Sequence, residues 1–139
     1  TAAFKTSLTE RLKHLFPRHK VDSMVALLSK PGCKAQLAHT DYTPATLANA
    51  TDETMPLACL VALENGTAFD VWPEAIRFEK NVSYKHMQVK LNKGDVLVFR
   101  GDLVHGGAAC GEVENVRIHA YLDVEGVERP KHGDDSLYV

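Results

Sequence analysis

The spacing of apolar residues, together with capping and helix-ending residues, predicts two short helices at the start of the chain. A capping box, Ser7-Leu-Thr-Glu10, indicates where the first helix begins, and Pro17 ends it. Asp22 can cap the second helix, which Lys30-Pro-Gly32 would end. The apolar positions of the first helix recur at helical intervals: Leu8, Leu12, Leu15 and Phe16.

From residue 33 onward, short apolar or alternating runs are separated by turn residues, which is typical of β-strands. The dipeptide Asn65-Gly66 favours a tight hairpin between two of these runs. Short strands at regular spacing, with the helices gathered at one end, predict a mainly β sandwich or barrel. The predicted strands are Ala35–His39, Leu57–Leu63, Ala68–Trp72, Val82–Leu91, Val96–Phe99 and Arg117–Val124.

Length and composition are those of one ordinary globular domain. The chain has 139 residues, of which 45% are hydrophobic and 24% are charged. We therefore predict a single domain over residues 1–139, with a helical part at about 6–30 and a β core at about 33–124. A net charge of −2 does not support binding to nucleic acid, and no apolar run is long enough to span a bilayer.

The cysteines give a weak indication of the cellular compartment. Cys33, Cys59 and Cys110 are too few and too scattered to predict a disulfide framework. Cys59 lies in an apolar run and is expected to be a small buried residue. We therefore expect a reducing, cytoplasmic location, although the chain begins at Thr1 rather than at a methionine.

The pattern His39-x-Asp41, with His105 far along the chain, is the strongest chemical feature of the sequence. Side chains two positions apart on a strand point the same way, so His39 and Asp41 can face one site. Two histidines and one carboxylate form the ligand set of non-haem Fe(II) oxygenases. Gly106 and Gly107 follow His105 and leave room for a ligand or a second backbone segment.

A second polar set lies on the last predicted strand, where Arg117, His119 and Tyr121 share one face. A buried arginine requires an anionic partner. That partner is either an internal carboxylate or a bound carboxylate, which the guanidinium can hold with two hydrogen bonds.

Taken together, His39-x-Asp41, His105 and Arg117 resemble the Fe(II)/2-oxoglutarate-dependent dioxygenase family. The likeness runs from about Gln36 to Leu122 and is similar in its middle part to phytanoyl-CoA-dioxygenase-like members. The resemblance implies a double-stranded β-helix, the cupin-like jelly roll. It also implies a hydroxylase that uses O₂ and 2-oxoglutarate and releases succinate and CO₂.

The resemblance also assigns roles to residues. It implies that His39, Asp41 and His105 bind Fe(II) and form the catalytic centre, and that Arg117 pairs with the distal carboxylate of 2-oxoglutarate. Many members have a serine two residues after that arginine, where this chain has His119. His119 or Tyr121 would then donate the corresponding hydrogen bond to the cosubstrate.

The substrate is not identified by the sequence, and a small molecule, a protein side chain or a nucleotide all remain open. Tyr42, Trp72 and Tyr121 are candidates for contact with it. Three alternative functions also stay open. They are a non-catalytic jelly-roll binding module, a cupin-type metalloenzyme that needs no 2-oxo acid, and a dioxygenase that acts on nucleic-acid bases.

Overall fold

The computed structural model describes residues 2–75 and 84–127, together with the backbone of residues 137–138. Within these residues the chain forms one helix and nine strands, arranged as two antiparallel sheets. The helix is α1 (Ala2–Leu12). The strands are β1 (His19–Ser29), β2 (His39–Thr40), β3 (Leu57–Ala62), β4 (Thr67–Trp72), β5 (Met87–Leu91), β6 (Val96–Arg100), β7 (Val104–Gly107), β8 (Asn115–Val124) and β9 (Leu137–Tyr138).

The strand order brings distant parts of the chain side by side. One sheet has the order β1-β8-β3-β6, and the other has the order β5-β4-β7-β2-β9. Except between β4 and β5, the chain from β1 to β8 changes sheet at every connection. As a result β2 pairs with β7, and His39 lies directly opposite His105 in that ladder.

Strand β3 is buried along its whole length because both of its faces are covered. Its odd-numbered residues pack with Leu8 of α1 and with β1 and β8. Its even-numbered residues pack with Phe69, Val71 and Phe99 between the two sheets. This burial on both sides explains why the segment is a continuous apolar run rather than an alternating one.

The predicted second helix is wrong, because residues 19–29 form strand β1. This segment pairs with β8 from His19↔Val124 to Ser29↔Asn115, with one irregularity between Val21 and Met24. Its local pattern was compatible with a helix, but the ladder with β8 forms over nearly the whole segment. Tertiary pairing of this kind overrides a weak local preference.

The ends of other predicted elements also differ. Helix α1 begins at Ala2, so Ser7 lies inside it rather than at its cap, and it ends at Leu12. The turn at Asn65-Gly66 exists, with a positive φ of 78° at Gly66, but it connects the two sheets and forms no hairpin. The predicted strand over 35–39 is reduced to His39–Thr40. Of the predicted strand 82–91, the structure shows Met87–Leu91, and residues 82–83 lie outside the described part.

Cys33 and Cys110 form a disulfide, which the sequence did not predict. The two residues are 77 positions apart and meet because β2 and β7 are neighbours. Backbone hydrogen bonds flank the disulfide, with Gly32 N donating to Gly111 O and Cys110 N donating to Cys33 O. Cys59 is the free cysteine of the described part and is buried, as expected. In that same part, no helix has the length and apolar character needed to cross a membrane.

Candidate metal and carboxylate site

Strands β2 and β7 bring together the three residues that the sequence singled out as metal ligands. His39 and His105 are paired across the ladder, and their ring centroids are 4.5 Å apart. Asp41 follows β2 directly and is 3% exposed. One potential ligand atom from each residue lies within 4.8 Å of the others. Two imidazole nitrogens and a carboxylate oxygen at this spacing suit a shared divalent ion.

Backbone carbonyls orient both imidazole rings. The Nδ1 atoms of His39 and His105 each lie 2.8 Å from a carbonyl oxygen two residues upstream, at Leu37 and Leu103 respectively. A carbonyl oxygen can only accept, so each Nδ1 carries the hydrogen. In the neutral rings the lone pair is then on Nε2, the atom available for a metal. Such outer hydrogen bonds fix the tautomer of metal-binding histidines.

The gap between His105 and Asp41 could hold a cation. Nε2 of His105 lies 3.5 Å from Oδ1 of Asp41, and both side chains are nearly inaccessible to solvent. Because Nδ1 of His105 is hydrogen-bonded to the carbonyl of Leu103, Nε2 can share either a proton or a metal ion with Asp41. Burial opposes charge on Asp41, but hydrogen bonds from His105 and His119 outweigh it and hold the pKa of this carboxyl below its usual range. Asp41 is therefore held as an anion.

The environment also favours the neutral form of His39, the form that can bind a metal ion. Burial lowers the pKa of His39, because a charged imidazole is poorly solvated there, although the carbonyl of Leu37 acts in the opposite direction. His105 is packed between aromatic rings, with its ring centroid 5.0 Å from that of Phe69 and 4.8 Å from that of Phe99. These contacts fix its position before any ion binds.

Arg117 lies beside this triad and is 7% exposed. Its Nη1 donates to Oγ of Ser29 at 2.5 Å, and its Nε is buried without a hydrogen-bond partner in the described part of the chain. Among the described residues it has no ion pair with a carboxylate. Burial lowers the pKa of Arg117, which reflects the cost of keeping an unpaired cation out of water. This environment favours an anionic partner for Arg117.

The three potential metal ligands and Arg117 line one cavity of about 150 Å³. His119 and Tyr121 belong to the same lining. Gln36 lies on the same wall, where its Oε1 accepts a hydrogen bond from Gly107 N at 2.7 Å. A Cβ at Gly107 would lie 2.7 Å from Oε1 of Gln36 and 2.8 Å from Nη2 of Arg117, so a side chain there would displace both groups. A second cavity of about 430 Å³ also borders Arg117 and Ser29.

Of the other predicted site residues, some line this cavity and others lie outside it. His119 lines this cavity and also contacts Asp41, with its Nε2 at 3.1 Å from Oδ2. Tyr42 is 1% exposed, donates to Asp123 at 2.6 Å and packs against Gly101, outside the lining of this cavity. Trp72 stacks on His86 and is also outside that lining.

Sequence reasoning missed Ser29 and Gln36. Ser29 was assigned to the end of a helix, so nothing indicated that it would reach Arg117, 88 positions away. Gln36 carries no motif of its own, and its role depends on the backbone of Gly107 in another strand.

No protein-family model matches the chain, and no curated protein matches it. Solved structures do match. AviO1 from Streptomyces viridochromogenes Tue57 is 13% identical with a TM-score of 0.70, over 88% of this chain and 59% of that one. The non-heme alpha ketoglutarate dependent epimerase SnoN from nogalamycin biosynthesis is 15% identical with a TM-score of 0.62, over 91% and 60%.

A third similar structure is the non-heme monooxygenase ThoJ, in a ThoJ-Ni complex. It is 13% identical with a TM-score of 0.65, over 95% of this chain and 56% of that one. The chain thus spans between 56% and 60% of the length of these three proteins. Its fold is one that non-heme and alpha-ketoglutarate-dependent enzymes also adopt.

Proposed function

We propose that residues 1–139 contain a single Fe(II)- and 2-oxoglutarate-dependent dioxygenase domain with the double-stranded β-helix, or jelly-roll, fold. The strand orders β1-β8-β3-β6 and β5-β4-β7-β2 support this fold, since they follow from a chain that winds back and forth between two sheets. The similarity to solved non-heme enzymes supports it as well.

His39, Asp41 and His105 fit a resident Fe(II) ion. They supply two oriented Nε2 atoms and one anionic oxygen on one side of the site, which leaves further coordination positions for other molecules. When bound, the iron supplies the redox chemistry that turns O₂, 2-oxoglutarate and a substrate C–H group into succinate, CO₂ and a C–OH group.

Arg117 is the observation that carries the cosubstrate assignment. A buried guanidinium without a carboxylate partner among the described residues matches the distal carboxylate of 2-oxoglutarate in charge and in geometry. Arg117 and the metal triad line the same cavity, so one molecule can reach both. Phe69 and Tyr121 also line this cavity.

The cosubstrate assignment is tested by calorimetric titration of the Fe(II)-loaded protein with 2-oxoglutarate under anaerobic conditions. Arg117→Gln should lower 2-oxoglutarate affinity by at least about tenfold, because a charge-assisted pair contributes about 1.5–3 kcal/mol, while Fe(II) affinity stays unchanged. Arg100→Gln is the matched control, since Arg100 forms its ion pairs with Asp52 and Asp102 away from the cavity.

The reaction class is tested by adding O₂ and measuring succinate. We expect Fe(II)-dependent succinate formation by the wild-type protein and none by Asp41→Ala. If the Fe(II)-loaded protein binds no 2-oxoglutarate, the dioxygenase proposal is wrong, and a non-catalytic binding module or another cupin-type metalloenzyme replaces it. Unchanged 2-oxoglutarate affinity in Arg117→Gln would overturn the role of Arg117 alone.

The cytoplasmic location predicted from the cysteines stays a prediction, and one structural feature argues against it. Disulfides persist mainly in oxidising compartments, and Cys33–Cys110 is a disulfide of the folded chain. Labelling of free thiols under denaturing conditions, in protein taken from its natural host, would decide between the two. One labelled cysteine, Cys59, is expected for the oxidised form and three for the reduced form.

A further inference from the structure

His119 makes a contact that the sequence did not predict. Its Nε2 lies 3.1 Å from Oδ2 of Asp41, although the two residues are 78 positions apart. His119 is in β8, whereas Asp41 follows β2, a strand of the other sheet. Both side chains are buried, since His119 is 8% exposed and Asp41 is 3% exposed. A buried polar group without a hydrogen-bond partner costs free energy, so this contact stabilises the folded chain.

The direction of this hydrogen bond limits what His119 can do. An ionised carboxylate only accepts, so Nε2 of His119 must be the donor and must carry a hydrogen. That nitrogen then has no lone pair to offer a metal. His119 is also absent from the set of residues whose ligand atoms converge within 4.8 Å, among those the structure describes. A direct role as a fourth ligand is therefore unsupported.

The two oxygens of Asp41 consequently face different partners. Oδ2 is held by His119, and Oδ1 faces Nε2 of His105 at 3.5 Å. The His119 ring is itself fixed by Tyr121, whose ring centroid lies 4.9 Å away in an edge-to-face arrangement. This arrangement pre-sets the rotation of the carboxylate and leaves one oxygen for the metal.

We propose that His119 is a positioning residue for the metal ligand Asp41, and that it does not belong to the 2-oxoglutarate carboxylate site. The proposal deepens the proposed function and rests on it only as far as a metal binds at His39, Asp41 and His105. Outer-shell partners of this kind typically change metal affinity by about 10- to 100-fold, and the same range is expected here.

The test compares two amides at position 119 by anaerobic titration with Co(II), whose visible absorption spectrum reports its coordination. Glutamine can place an N–H where the histidine Nε2–H lies, whereas asparagine is one methylene shorter and falls short of Asp41. His119→Gln should bind Co(II) nearly as tightly as the wild type, with the same spectrum. His119→Asn should bind it about 10- to 100-fold more weakly, with an altered spectrum.

His86→Asn is the matched control, because His86 pairs with Asp70 outside the cavity and should leave Co(II) binding unchanged. The proposal is overturned if both variants at 119 bind like the wild type, or if glutamine loses as much affinity as asparagine. It is also overturned if Co(II) binding is kept while 2-oxoglutarate binding falls. Failure of wild-type protein to bind 2-oxoglutarate would sink the proposed function and leave this comparison intact.

Discussion

Single residues in the site are oriented by groups that have no side-chain chemistry of their own. The carbonyls of Leu37 and Leu103 set the tautomers of the two histidines, and the absence of a side chain at Gly107 makes room for Arg117. The sequence identified the histidines and the aspartate from their spacing. It could not identify the carbonyls, because every residue carries one and only the folded backbone selects which ones are used.

The buried thiol of Cys59 makes the free energy of unfolding depend on pH in the alkaline range. Its thiol is fully buried in β3, and burial raises its pKa to about 12 from a reference value of 9.0. Between these values the unfolded chain loses the proton and the folded chain keeps it. The contribution of the protonated thiol to the free energy of unfolding is therefore complete below pH 9. Above pH 9 it falls by about 1.4 kcal/mol per pH unit.

This prediction is checked by urea unfolding of the wild type and Cys59→Ala at pH 8 and pH 10. Other groups that titrate in this range are common to both proteins, so they cancel in the comparison. The advantage of the wild type should shrink by about 1.4 kcal/mol between the two pH values. A constant difference would show that the thiol ionises as readily in the folded chain as in the unfolded one.

At the level of elements, pairing between distant strands decided what local patterns left open. Segment 19–29 has a sequence that allows a helix, yet it forms strand β1 because it pairs with β8 along nearly its whole length. The same effect makes Asn65-Gly66 a connection between sheets rather than a hairpin. Long apolar or alternating runs such as β3 and β8 were predicted well, because their periodicity already reflects burial.

The Cys33–Cys110 disulfide ties the segment before β2 to the segment after β7, the two strands that carry His39 and His105. It closes a loop of 77 residues, and such a cross-link stabilises by about 2–4 kcal/mol. The double variant Cys33→Ser/Cys110→Ser should therefore lose about that much free energy of unfolding. It should also bind Co(II) more weakly than the wild type.

Dithiothreitol provides the internal control for this prediction. The reductant should lower the melting temperature of the wild type toward that of the double serine variant and leave the variant itself unchanged. Cys59→Ala should respond to the reductant like the wild type. A wild-type melting temperature that does not respond to reduction would mean that the disulfide contributes nothing to stability.

At the level of the whole molecule, the core has two layers with separate tasks. One layer lies between α1 and the β1-β8-β3-β6 sheet and includes Leu8. The other lies between the two sheets and includes Leu60, which also lines the site cavity. The layers share β3, so the site depends on the inner layer, and the outer layer supports the sheet from behind.

Leu8→Ala should therefore destabilise the protein without altering the site. Leu8 is 4% exposed, and removal of such a side chain costs about 2–5 kcal/mol. Chemical unfolding measures this loss, and Co(II) titration of the folded variant should give the wild-type affinity. Leu15→Ala is the control, since Leu15 is 72% exposed and should change stability by less than about 0.5 kcal/mol. Weaker Co(II) binding in Leu8→Ala would show that the layers are coupled.

The sequence by itself predicted the candidate metal ligands that the structure brings together, because ligand type, spacing along a strand and flanking glycines are local properties. It also determined the mainly β character, since short alternating or continuous apolar runs are visible in the sequence before the chain folds. Only the tertiary structure decided that residues 19–29 form a strand, that Cys33 meets Cys110 and that His119 turns to Asp41. Each of these depends on contacts between segments far apart in the chain, whose geometry exists only once both sheets have formed.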